Sequence, residues 1–95
     1  MARLPRLSLA GLPHHVILRG NNRQHIVQDD RDRQKLLGLL AHHANDKRVD
    51  VHAYVLMDNH IHLLITPQID AAMSKFMQSV GRAYVKWFNE RWGRS

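Results

Sequence analysis

Two short runs of β-type residues, Val49–Met57 and His60–Thr66, are separated only by Asp58-Asn59. A connection that short joins neighbouring strands as an antiparallel hairpin, because a parallel pair needs a much longer crossover. The first run alternates through Val51, Ala53 and Val55. The second contains Ile61, Leu63, Leu64 and Ile65; it is too short and too β-branched for a helix, and Pro67 stops it. Alternate side chains of a strand share a face, so His60 and His62 leave one side, about 6.6 Å apart along the chain. Ile61, Leu63 and Ile65 leave the other.

The remaining pattern supplies what the hairpin packs against. Residues 1–13 contain Pro5, Gly11 and Pro13 and read as an extended basic arm, with Arg3 and Arg6 placed for phosphate contacts or for water. His14–Arg19 reads as a first strand, ended by Gly20-Asn21-Asn22-Arg23. That turn is either a plain turn or a phosphate contact made through amides and a guanidinium. Asp29-Asp30-Arg31-Asp32 opens a helix whose acids suit the positive end of the helix dipole. Its apolar stripe is Leu36, Leu37, Leu39, Leu40 and Ala44, and it fades near Asn45-Asp46. His42 and His43 near its end read as surface residues. Asp70 is expected to cap a last helix, in which Met73, Phe76, Met77, Val80, Tyr84, Trp87 and Phe88 recur at steps of three and four. That stripe reads as core.

The predicted order is strand, helix, strand, strand, helix. A right-handed crossover between the first two strands leaves the third to slot between them, antiparallel to both. The fold class is α+β, a ferredoxin-like β-α-β-β-α arrangement with an antiparallel sheet that lacks its last strand. The first strand then has an unpaired edge, which offers a second copy a surface for a homodimer. Residues 1–95 read as a single domain without repeats or linkers.

The net charge of +6 is unevenly spread. The segments 1–23 and 71–95 are each strongly basic, whereas 24–70 is slightly acidic. A basic head and tail suit a polyanion lying across the domain, or simply a solvated surface. Lys75, Arg82 and Lys86 recur along one face of the last helix, where a phosphate backbone can lie. There is no cysteine, hence no disulfide and no thiolate metal site, which fits a reducing cytoplasm. No signal peptide is evident, and no apolar run approaches the roughly 20 residues that span a membrane.

Two imidazoles on a central strand are too few for a closed zinc site, which wants four ligands. They suit an open catalytic ion completed by another side chain, water and substrate oxygens. In a basic protein the fitting oxygen is that of a phosphate. The competing reading is two polar residues on the wet face of an ordinary strand.

Met57-Asp58-Asn59-His60-Ile61-His62-Leu63-Leu64 resembles the His-hydrophobic-His box of the HUH endonuclease superfamily. It looks most like the single-tyrosine transposases, in the branch associated with repetitive extragenic palindromes. Pro13-His14-His15-Val16 with Arg19-Gly20-Asn21 and Arg23 resembles that branch's first-strand signature. Gly81-Arg82, Tyr84-Val85, Phe88-Asn89 and Gly93-Arg94-Ser95 resemble the helix after the box. The resemblance spans essentially the whole chain. It implies that His60 and His62 hold Mg2+ or Mn2+, which polarises a phosphate of single-stranded or hairpin DNA. A tyrosine then attacks, leaving a 5′-phosphotyrosine link and a free 3′-hydroxyl. The implied DNA contacts are Arg3, Arg6, Arg19, Asn21, Arg23, Lys75, Arg82 and Lys86.

The chain departs from the family pattern in two ways. Asp58 stands where the branch commonly has proline; it reads as a turn residue, with an extra carboxylate near the ion as the alternative. The family's tyrosine lies on a helix beyond the last strand, and neither Tyr54 nor Tyr84 matches it. The expectation is therefore a metal-holding transposase portion whose nucleophile lies outside residues 1–95. A catalytically inactive DNA-binding remnant is the alternative. A histidine-triad nucleotide hydrolase ranks below both, since it wants a further histidine where Leu64 stands.

Overall fold

The computed structural model describes residues 10–19 and 25–93. Among them the elements run β1 (His14–Arg19), α1 (Asp30–Lys47), β2 (Val49–Leu56), β3 (His60–Pro67) and α2 (Ala72–Trp92). They form a three-stranded sheet in the order β1-β3-β2, with β3 antiparallel to both neighbours. This is the ferredoxin-like α+β arrangement expected from the pattern. The last-strand expectation and the basic arm at 1–9 concern chain outside the described residues.

Both helices cover one face of the sheet. Val16, Ile61, Leu63 and Ile65 from the strands meet Leu36, Leu40, Met73, Phe76, Val80 and Phe88 from the helices in one buried cluster. The other sheet face is open. It carries Ile17, Val55 and Leu64, which are exposed, together with the half-buried side chains of His60 and His62.

Helix α1 starts where the acids place it. Asp29 adopts extended backbone and its carboxylate accepts from the Asp32 amide at 3.1 Å, a side-chain N-cap. The helix runs through Asn45-Asp46 to Lys47, beyond its expected fading point. Arg48 ends it by taking a left-handed backbone (φ 61), which returns its amide to the Ala44 carbonyl. His42 is exposed and His43 half-buried.

Three expectations are corrected by packing. Asp70 does not cap α2: Ala71 takes a left-handed backbone (φ 69) and no side chain caps that end. Asp70 instead accepts from the Ala10 amide at 3.4 Å. Strand β2 ends at Leu56 rather than Met57, although Met57 still donates to the His60 carbonyl across the turn. Strand β2 also does not alternate evenly. Val51 pairs with Ile65 and Ala53 with Leu64, so His52 is an extra residue, a β-bulge. Beyond the bulge the facing inverts. Leu56 joins the core opposite Ile61, while Val55 stands on the open face opposite His62, 55% exposed.

A polar staple joins the start of α1 to the end of α2. The Arg91 guanidinium bridges both oxygens of Asp29 at 2.7 Å and reaches the fully buried Asp32 at 2.5 Å. Trp92 Nε1 and the Gln28 amide also donate to Asp32, at 3.2 and 2.8 Å. Each Asp32 oxygen therefore has donors, as a buried carboxylate requires. The Tyr84 hydroxyl donates to the Ile26 carbonyl, and the Ile26 and Val27 amides donate to the Asp58 carbonyl at 2.7 and 3.1 Å. The segment entering α1 is thus held between α2 and the hairpin turn.

Candidate metal centre

The antiparallel register builds two cross-strand rows on the open face. Ile17 of β1, His62 of β3 and Val55 of β2 stand side by side. Next to them Arg19 opposes His60. His60 and His62 lie on the same face, as their spacing requires, with ring centroids 4.8 Å apart and planes at 72°. Both are half-buried. The Ile61, Leu63 and Ile65 side chains between and beyond them are sealed in the core, which fixes the strand against slipping.

Each ring is held from behind. His60 Nδ1 lies 2.7 Å from Asn59 Oδ1. His62 Nδ1 lies 2.9 Å from His15 Nε2, and these two rings are nearly parallel, at 8° with centroids 5.1 Å apart. His15 pairs directly with Leu64, so it reaches His62 along the sheet diagonal, a distance an imidazole can bridge. Partial burial pushes the His62 pKa below its ordinary 6.5, and the neighbouring His60, His15 and Arg19 push the same way. That shift favours the neutral imidazole, the form that binds a metal.

The donor set fits half of an open metal site. His60 and His62 each keep one ring nitrogen for an ion. Among the described residues, no group of three or more His, Asp or Glu side chains is arranged to hold one. Asp58 does not contribute a carboxylate: it reaches Arg33, at 3.4 Å, which also pairs with Asp30. It stands in the short turn between β2 and β3.

The predicted DNA contacts divide. Arg19 is exposed beside His60 on the open face. Lys75, Arg82 and Lys86 are exposed on α2, which packs on the opposite face, so the sheet stands between them and the histidines. Arg3, Arg6, Asn21 and Arg23 lie outside the described residues. Tyr84 is buried and its hydroxyl is engaged; burial pushes its pKa up, which suits packing and not attack. Tyr54 is half exposed on β2.

The pattern alone overlooked two residues that touch the box. Asn59 is its immediate neighbour, an amide able to accept from a ring nitrogen. His15 was visible as a histidine on β1, but its reach to His62 depends on the register of strands far apart in sequence.

A two-layer α+β domain with a histidine pair on the exposed face of its central strand is an architecture on which nucleic-acid-processing chemistry can be built. Residues 8–95 match the family model described as "Transposase IS200 like", and the chain belongs to that family. The fold is similar to the crystal structure of a candidate transposase from Deinococcus radiodurans R1, with a TM-score of 0.69 and 18% identity. The alignment covers 95% of this chain and 68% of that one. No curated protein matches the chain.

Proposed function

We propose that this chain is the metal-holding portion of a DNA transposase that nicks single-stranded or hairpin DNA, of the branch associated with repetitive extragenic palindromes. The carrying observation is the pair of half-buried imidazoles, 4.8 Å apart on the open face beside Arg19. Membership of the IS200-like family supports DNA as the partner and transposition as the process. His60 and His62 would hold Mg2+ or Mn2+, and the ion would supply Lewis-acid help at a phosphate. Arg19, opposite His60, would bind a neighbouring phosphate oxygen through its guanidinium. The nucleophilic tyrosine lies outside residues 1–95. Its oxygen forms a bond to phosphorus, the bond from phosphorus to the 3′ oxygen breaks, and that oxygen leaves with the electron pair and takes up a proton. A cysteine-free chain fits work in the reducing cytoplasm, and no helix among the described residues is long and apolar enough to cross a membrane.

The test is Mn2+ titration by calorimetry, together with a DNA adduct assay. Wild-type chain binds Mn2+ weakly, and His60→Ala abolishes binding while leaving the fold intact. The 95 residues alone form no covalent DNA adduct. Salt-sensitive DNA binding indifferent to Mn2+ and to His60→Ala would mark an inactive binding remnant instead. A tyrosine–DNA adduct made by this chain alone would overturn the assignment of the nucleophile. Pairing of two copies through the outer edge of β1 is the dimer this sheet offers, and equilibrium sedimentation reads it.

A further inference from the structure

The atoms behind the two box histidines determine which nitrogen each one presents. The Asn59 carboxamide oxygen can only accept a hydrogen bond, so His60 Nδ1, 2.7 Å away, must carry the ring proton. A neutral His60 then has its lone pair on Nε2. His62 Nδ1 and His15 Nε2 are 2.9 Å apart, and one proton serves that contact. With the proton on His62 Nδ1, His15 accepts and the His62 lone pair also lies on Nε2. Both histidines then present the same nitrogen from the same sheet face. Free histidine favours the opposite tautomer, with the proton on Nε2, so this matched state needs a partner at each Nδ1.

We propose that Asn59 and His15 are positioning residues that hold His60 and His62 in the Nδ1–H tautomer, leaving both Nε2 atoms as the metal-binding pair. The inference rests on the metal reading above and adds which residues prepare the site. It also gives His15 a role distinct from ligation, because its Nε2 is committed to His62. Ligating histidines that use their second nitrogen in this way hold the ring orientation, and removing the partner lowers metal affinity by about 10–100-fold. The geometry explains why neither partner belongs to the helix layer. Asn59 comes from the hairpin turn and His15 from the neighbouring strand, so both act from within the sheet.

Two measurements on the 95-residue chain test it. Long-range 15N–1H spectra of the metal-free protein at pH 8 read the tautomers directly. His60 and His62 are expected as Nδ1–H in wild type; His60 should revert to Nε2–H in Asn59→Ala, and His62 in His15→Ala. Mn2+ affinity should fall about 10–100-fold in each alanine variant. His15→Gln and Asn59→Asp keep an accepting oxygen and should stay within about threefold of wild type, a rescue that general damage to the fold would not give. Amide spectra confirm folding of each variant. Nε2–H tautomers in wild type overturn the proposal. So does Mn2+ binding that is lost in His60→Ala but unchanged in His15→Ala and Asn59→Ala, and the metal reading then survives. Failure of wild type to bind Mn2+ at all overturns the metal reading, and this proposal with it.

Discussion

Individual side chains carry both the stability and the chemistry of this small domain. Phe76 is fully buried at the centre of the cluster. Phe76→Ala should cost about 3–5 kcal/mol, a large share of the ~5–15 kcal/mol that holds such domains folded. Urea denaturation followed by circular dichroism measures this as a lower midpoint. Asp29 is the clearest acid-sensitive group. The Arg91 guanidinium holds its pKa at about 2 against an ordinary 3.8; partial burial opposes this, and the Asp32 amide adds to it. A depressed carboxylate contributes stability above its unfolded pKa and loses it as the pH falls through the folded one. Wild type should therefore lose stability between about pH 4 and pH 2 more steeply than Asp29→Asn. Urea midpoints for both proteins across that window check the sign, and parallel curves would remove Asp29 from the account. At this scale the pattern was informative about His60 and His62, because a period of two fixes their common face. It was silent about His15, whose partner is 47 residues away.

Secondary structure follows local chemistry closely except where tertiary contacts compete. Asp29 caps α1 as its residue type predicts, and the apolar stripes of α1 and α2 both enter the core. Asp70 had equal credentials as a cap but is turned away by the left-handed Ala71 that joins β3 to α2. Strand β2 shows the same competition more sharply. Its residues read as evenly alternating, yet the bulge at His52 lets Val51 and Leu56 both contact the core despite their odd spacing. Deleting His52 would leave Val51 and Leu56 four positions apart, an even spacing that keeps both on the core face in the register already present, so the strand should become regular without a slip. The deletion should lower the thermal midpoint by no more than about 10 °C, the order expected for losing the exposed hydrogen bond between His52 and Thr66. A much larger fall would mean that the bulge itself, and not only the register around it, holds the strand.

At the scale of the molecule, the sheet separates two basic surfaces that the sequence places in one charge pattern. Arg19 shares a face with the histidines, while Lys75, Arg82 and Lys86 lie on the helix layer behind it. The described chain measures 19 Å across its thinnest direction, so DNA must bend around an edge to touch both. A short single strand should lose affinity with Arg19→Ala and show a salt slope shallower by about 0.7, yet ignore the triple alanine variant at Lys75, Arg82 and Lys86. A longer hairpin should respond to both. Fluorescence anisotropy at several salt concentrations separates the cases, and an effect of the triple variant on the short strand would place the DNA path over the helices. The sequence by itself determined the element order, the hairpin, the apolar faces and the shared face of His60 and His62. These depend on short-range periodicity and on turns too short to allow alternatives. Only the tertiary structure decided the bulge, the fate of Asp70, the contact of His15 with His62 and the division of the basic residues between two faces. Each of those depends on register or layering between distant segments, set by which packing buries most apolar surface with every buried polar group paired.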